Sequence, residues 1–314
     1  MSGEAQQRSG AIALVGRPNA GKSTFLNRIL GEKVSIVSDR PQTTRHRIIG
    51  VLTEPRGQIV FYDTPGVHRP LHRMNRRMMD AAHDAARDAD LICLMVDASE
   101  SFGKGDAFTL EWVRSIESGT IQAPPRILLL NKIDRVKKPE LLPLIARYAE
   151  SGVFSEILPI SAATGEGCER ALDLFFGLMP EGQPLRDPDV ISPHPERFLV
   201  AERIREKLLQ RVREELPHST AVWIERWEES DRLIKLYATI LVEKPGQKAI
   251  VIGAQGKTLK EVGTAARLDL EQQLGKKIHL ELFVRQEADW RDDEATLTRL
   301  EREASILDSG GEDS

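Results

Sequence analysis

Only two cysteines, Cys93 and Cys168, occur in the 314 residues, and neither has another Cys or a His nearby at ligand spacing. That scarcity argues against a metal site of the zinc type and fits a reducing compartment. Cys93 lies within Leu91-Ile-Cys-Leu-Met-Val96 and reads as a small core residue. Long apolar runs are missing too. This run, the longest, has six residues, against the ~20 needed to cross a bilayer. The opening Met1–Gly10 lacks the apolar core of a signal peptide. The expectation is a soluble, cytosolic protein.

A strong positive charge is absent as well. Lys plus Arg number 44 against 48 Asp plus Glu, a net charge of −4. The balance is uneven, however. From Glu287 to Ser314 ten acids face three arginines, so residues 1–286 carry +3. An acidic tail masks a mildly basic body.

Short β-type runs recur in the first half: Ala11–Val15, Gln58–Tyr62, Leu91–Val96, Arg126–Leu130 and Glu156–Ile160. Continuous apolar strands separated by helical stretches, such as 75–88 and 139–150, predict an α/β doubly wound, mostly parallel sheet covered on both faces. Five prolines between Pro180 and Pro195 predict a semi-rigid linker. Beyond it the order is α-β-β-α-α-β, an α+β unit. A helix over 197–215 precedes a strand at 220–224. The strand Leu233–Val242 alternates Ile234, Leu236, Ala238, Ile240 and Val242. A short helix precedes Gly253, a longer one runs over 257–274, and a last strand alternates Ile278, Leu280, Leu282 and Val284. The predicted organisation is a tail at 1–9, an α/β domain at 10–180, a linker at 181–196, the α+β unit at 197–290 and an acidic tail at 291–314, helical or disordered.

Gly16-Arg17-Pro18-Asn19-Ala20-Gly21-Lys22-Ser23-Thr24 fits the phosphate-loop pattern G-x-x-x-x-G-K-[ST] and stands between a strand and a helix. Its backbone N–H groups and the helix N-terminus suit phosphate oxygens. Lys22 can reach the β- and γ-phosphates, and Ser23 can ligate Mg²⁺. Asp63-Thr64-Pro65-Gly66-Val67 ends a second strand. There Asp63 is placed to hold Mg²⁺ through water, and the Gly66 N–H can meet a γ-phosphate. Between them, Pro41-Gln-Thr43-Thr44-Arg45 reads as a switch loop. Thr44, in preference to Thr43, is the expected Mg²⁺ ligand. Lys22, Thr44 and Gly66 are the expected catalytic set.

Asn131-Lys132-Ile-Asp134 follows another strand. The Asp134 carboxylate can accept from guanine N1–H and N2–H₂ together, a pair adenine lacks. Asn131 can bond the base edge and brace the phosphate loop, and the Lys132 stem can lie along the base. Ser161-Ala162, thirty residues on, can offer a backbone N–H to guanine O6. These motifs resemble the translation-factor-related P-loop GTPases over roughly residues 10–180, which implies GTP/GDP binding and hydrolysis.

Gly253-Ala254-Gln255-Gly256, followed by Lys257 and Lys260, resembles the Gly-x-x-Gly loop of a type II K-homology (KH) domain. Residues 197–286 carry 17 basic against 13 acidic residues, a modest bias suited to single-stranded RNA. The two central loop residues carry no charge, a departure from the many such domains that place a basic residue there. The combination is similar to the Era family, with further matches in Asp39–Arg47, Leu216-Pro-His-Ser219 and Asp289-Trp-Arg-Asp292. That resemblance implies binding to 16S ribosomal RNA near its 3′ end and assistance to small-subunit assembly. It also implies a monomer and peripheral contact with the inner membrane. Two rivals stand beside it: a membrane-associated cell-cycle signalling GTPase, and a nucleotide-gated RNA binder with vestigial hydrolysis.

Val67 occupies the place where many small GTPases carry the water-orienting Gln. His68 reads as a loop residue. The resemblance then extends to GTPases with a hydrophobic substitution, some of which use K⁺ as the missing positive charge. Asn19 either holds that ion or only shapes the loop.

Overall fold

The computed structural model describes residues 7–40, 42–70, 72–117, 123–212 and 219–305. Pro41, the start of Leu216-Pro-His-Ser219, the end of the helix expected to reach 215, residues 1–6 of the expected N-terminal tail and 306–314 of the expected acidic tail lie outside the described residues. The chain divides into two compact units. One comprises Met1–Val37, Thr44–Leu71 and Asn75–Pro193, the other Ser38–Thr43, His72–Met74 and His194–Ser314.

The first unit is a six-stranded sheet of order β2-β3-β1-β4-β5-β6. Its strands are β1 (Arg8–Gly16), β2 (Ile48–Glu54), β3 (Gly57–Asp63), β4 (Leu91–Asp97), β5 (Arg126–Asn131) and β6 (Glu156–Pro159). All neighbours run parallel except β2, which pairs antiparallel with β3 across the two-residue turn Pro55-Arg56. Alternation along the strands builds two cores. Ile12, Leu14, Ile59, Phe61, Cys93, Met95 and Leu129 face one side, against Phe25, Leu26, Phe175 and Phe176. Ala13, Val15, Ile92, Leu94, Leu128 and Leu130 face the other, against Leu110, Val113 and Tyr148. The covering helices include α1 (Lys22–Leu30), α2 (Arg73–Arg87), α3 (Lys104–Ser115), α4 (Lys138–Ala149) and α5 (Cys168–Leu178). β1 sits where the strand order reverses, so the crevice at its C-terminal end is the expected ligand position.

Three expectations need correction. β1 starts at Arg8, inside the expected tail, because residues 8 and 9 pair with Gly57 and Gln58. The proline-rich segment is a strap along the sheet edge rather than a semi-rigid linker. The Gln58 side chain bonds both N and O of Arg186, Val51 N–H donates to Ile191 O at 2.8 Å, and Ser192 Oγ donates to Ile49 O at 2.8 Å. The segment beyond Trp290, read as a helix or disorder outside the α+β unit, is a helix that packs within that unit, as described next.

The second unit holds α6 (Glu196–Arg211), then a three-stranded sheet of β7 (Thr220–Glu229), β8 (Leu233–Val242) and β9 (Lys277–Gln286), interrupted by α7 (Pro245–Ile252) and α8 (Lys257–Leu274). β7 and β8 form an antiparallel hairpin. The α7–α8 crossover returns β9 parallel to β8. Helix α9 (Glu294–Ala304) follows, capped by the Asp293 carboxylate on Thr296 N–H at 2.7 Å, with Leu297 buried. The motif around Trp290 has a packing role. Trp290 is fully buried and donates to Ser219 O, while Arg291 pairs in a fork with Glu243 at 2.6 and 3.2 Å.

Candidate nucleotide and RNA sites

Four loops leave the C-terminal ends of β1, β3, β5 and β6 and converge. The phosphate loop begins where β1 ends at Gly16 and closes at Gly21, whose left-handed backbone opens α1. Lys22 is buried, with its ammonium on Gly16 O at 3.3 Å and Arg17 O at 3.2 Å. Burial pushes that ammonium below the ordinary lysine value, with Asp63 pulling the other way. Burial likewise pushes the Asp63 carboxyl up, against Lys22, Ser23 and Ser35. A buried lysine and a buried carboxylate both displaced towards neutrality suit a ligand that brings charges of each sign.

The expected metal ligands meet. Ser23 Oγ donates to Asp63 Oδ2 at 2.6 Å, and Thr44 Oγ1 is 3.1 Å from Ser23 Oγ. Thr43 turns its hydroxyl to Arg40 O instead. Asp63 Oδ1 is buried with no hydrogen-bond partner among the described residues. Two hydroxyls and a carboxylate with one unused buried oxygen form a hard-oxygen donor set that fits Mg²⁺.

Gly66 is required by packing. A Cβ there would stand 2.6 Å from Pro18 Cγ and 2.7 Å from Pro18 N, so only glycine lets the two loops touch. Val67 is buried and its N–H donates to Gly16 O at 2.9 Å, while His68 turns its ring to Gly66 O. Thr64, between Asp63 and Pro65, has its hydroxyl buried on Leu14 O, a link between strands. Arg17 reaches away to Asp106 at 3.0 Å and Glu100 at 3.1 Å, which ties the phosphate loop to α3. Asn19 is exposed with φ 63°, a left-handed conformation that asparagine tolerates. Thr24 lies half-buried in the first turn of α1.

At the base-recognition end, buried Asn131 braces two loops. Its Nδ2 donates to Ala20 O at 2.8 Å, and its Oδ1 accepts from Ala162 N–H at 2.9 Å. The Ala162 N–H expected to face guanine O6 is therefore engaged by Asn131. Ser161 Oγ donates to Asp134 Oδ1 at 2.6 Å. The Lys132 ammonium meets Asp97 Oδ2 at 2.5 Å. Burial raises the Asp97 carboxyl, but Lys132 and Ser99 outweigh it and hold the group below the ordinary carboxylate value.

In the second unit the Gly253–Gly256 loop joins α7 to α8. Gly253 has φ 74°, and a Cβ there would collide with Thr258, so the loop needs glycine on both counts. Gln255, exposed and not glycine, also has φ 51°. A held left-handed residue at an exposed loop tip marks a candidate contact point. Ala254, Lys257 and Lys260 are exposed beside it, and Gly256 caps α8.

Residues 11–132 match the family model described as a 50S ribosome-binding GTPase, and residues 215–291 match the KH domain. A solved structure of Era in complex with MgGDPNP and nucleotides 1506–1542 of 16S ribosomal RNA is 37% identical. That match covers 95% of this chain and 100% of that one, with a TM-score of 0.88. A variant of Aquifex aeolicus Era bound to GDP·AlF4− is 36% identical over 95% and 100% of the two chains, also with a TM-score of 0.88. The chain belongs to the Era family. It is a GTPase with a C-terminal KH domain.

Four residues of this Era-family protein escaped the motif reading. Ser35 donates to Asp63 at 2.7 Å, and Asp97 anchors Lys132. A serine in a polar loop and an acid at a strand end carry no pattern of their own. The other two, Ile250 on α7 and Phe283 on the edge strand β9, are both more than half exposed, on elements that lie against each other beside the KH loop. Strand alternation does carry a signal for Phe283, since it falls on the face opposite Leu282.

Proposed function

We propose that this Era-family GTPase binds small-subunit ribosomal RNA near its 3′ end through the KH domain, uses GTP to gate that binding, and so assists small-subunit assembly. The observation that carries the switch is the meeting of Ser23, Thr44 and Asp63, because Thr44 belongs to a loop that can be ordered or released with the γ-phosphate. The similar Era complex with 16S ribosomal RNA supports the partner. Ser23 and Thr44 would hold Mg²⁺ directly, with Asp63 behind a water. The ion, when bound, offsets the negative charge that grows on the transferring phosphate. Lys22 adds a cation at the β/γ oxygens, and Gly66 N–H faces the γ-phosphate. Asp134, oriented by Ser161, accepts the two guanine donors.

RNA would enter along the Gly253–Gly256 loop. The exposed lysines Lys244, at the N-cap of α7, and Lys248, within it, extend the cationic side of that track. Ile250 and Phe283 offer apolar surface on which bases can stack.

Potassium belongs to the same reading. Val67 cannot orient water, so a monovalent cation held by Asn19 would supply the positive charge that an arginine finger gives elsewhere. Turnover is expected to be faster in K⁺ than in Na⁺ at equal ionic strength, and Asn19→Ala should remove the difference. Equal rates in both salts reject the ion. Stimulation that survives Asn19→Ala keeps the ion and removes Asn19 as its ligand.

The central test measures affinity for an RNA with the 3′-terminal sequence of 16S ribosomal RNA in the GTP-analogue and GDP states, beside single-turnover hydrolysis with and without that RNA. Nucleotide-dependent affinity is the expected result. Equal affinity in both states removes the gating.

A further inference from the structure

We propose that Ser35, clamped by Asn27, is a positioning residue that aims the Asp63 carboxylate at the magnesium site. This rests on the GTPase reading above and adds to it a residue that no nucleotide motif contains.

The geometry starts on α1. Ser23 and Asn27 are four residues apart, so they share one face of the helix, the face turned to Asp63. Helix α1 ends at Gly31, and the chain doubles back beside it. There the Asn27 amide grips the loop with three hydrogen bonds. Its Oδ1 accepts from Val34 N–H and Ser35 N–H, both at 2.9 Å, and its Nδ2 donates to Ser35 O at 2.7 Å. An amide that contacts both polar groups of one residue fixes that residue's backbone, and with it the direction of its side chain.

Ser35 is 2% exposed, and its hydroxyl is aimed at Asp63 Oδ2 at 2.7 Å. The same oxygen accepts from Ser23 Oγ at 2.6 Å. Two donors from two different segments on one oxygen fix the plane of the carboxylate. Oδ1 is thereby left as the oxygen with unused acceptor capacity. With Ser35 removed, one hydrogen bond would hold a buried carboxylate that can rotate about it. Metal binding would then have to order the group, at a cost in affinity. The arrangement also joins the metal carboxylate to the loop at 31–37, through a residue rather than through the nucleotide.

The test reads binding instead of turnover. Fluorescence of a labelled, non-hydrolysable GTP analogue is followed as Mg²⁺ is titrated into the full chain. For Ser35→Ala the Mg²⁺ midpoint is expected to rise about tenfold, the scale of one charge-assisted hydrogen bond. Ser35→Thr keeps the hydroxyl and should return the midpoint to within about threefold of the parent. Asn27→Ala should shift the midpoint in the same direction, and the double variant should add little, because both act through one contact. An unchanged midpoint in Ser35→Ala overturns the proposal. So does an Ala-variant shift that Thr fails to restore, which would mark a packing role. A parent that binds the analogue equally with and without Mg²⁺ would instead overturn the magnesium reading, and this inference with it.

Discussion

Specificity at the base end rests on two carboxylates with different tasks. In the proposed reading Asp134 takes the guanine edge, and the Ser161 hydroxyl that donates to it at 2.6 Å sets its orientation. Asp134→Asn is expected to weaken GTP by several kcal/mol and to favour XTP, whose C2 oxygen can accept from the new amide. Comparing GTP and XTP affinities of both forms checks this, and an unchanged preference for GTP removes the assignment. Asp97 works at one remove, by holding Lys132. Asp97→Ala should weaken GTP and GDP alike, by about three- to tenfold, and leave turnover at saturation unchanged. The Asp97 carboxyl titrates below its ordinary value. The pair's contribution is therefore fully present above the unfolded pKa and fades only as pH falls through the folded one. The affinity difference between parent and Asp97→Ala, measured from neutral pH downwards, should accordingly persist through the ordinary carboxylate range. At this scale the sequence pointed to the residues proposed to meet the ligand, because they come in motifs. It concealed Ser35 and Asp97, which act on other side chains across 28 and 35 positions of chain.

Among the elements, the α7–loop–α8 hairpin carries the RNA reading. Replacing Ala254 and Gln255 with Asp places two negative charges at the exposed loop tip. RNA affinity should fall by about tenfold or more, while GTP hydrolysis without RNA stays at the parent rate. Filter binding at fixed salt measures the first, phosphate release the second. Parent affinity in the double variant would reduce the loop to a plain turn. Most of these elements were legible. The strand Leu233–Val242 and the helix over 257–274 stand where periodicity puts them, because each turns a regular apolar face to the core. β2 was missed since Gly50 interrupts its apolar run and a polar loop precedes it. Its pairing with β3 is a fact of tertiary structure.

For the molecule as a whole, sequence composition misled at the borders. Prolines suggested a semi-rigid linker and acids suggested a tail, helical or disordered, yet both segments pack. In α9, Leu297 is 3% exposed, and Arg299 stacks on Trp223 and pairs with Glu225. Leu297→Ala should cost the RNA-binding unit about 2–4 kcal/mol, and a chain ending at residue 293 should lose more. Thermal unfolding should show the change in the transition of that unit, with nucleotide affinity retained. An unshifted transition would return the segment to the role of a tail. Acidic residues on one face of a helix look the same in composition as acidic residues in a solvated tail. Only the spacing of Leu297 and Ala304 separates them, a signal of two residues.

The strap over 181–193 has a consequence for behaviour in a crowded solution. β2 ends the sheet, and an open edge presents unpaired N–H and C=O groups to any other strand that drifts by. Here Ile191 answers Val51, and Ser192 answers Ile49, so this border is closed by the chain's own backbone and hydroxyl. Nicking the chain between α5 and the strap would leave every nucleotide motif intact and still uncover a sticky border. Such a molecule would be lost to self-association before it failed as an enzyme.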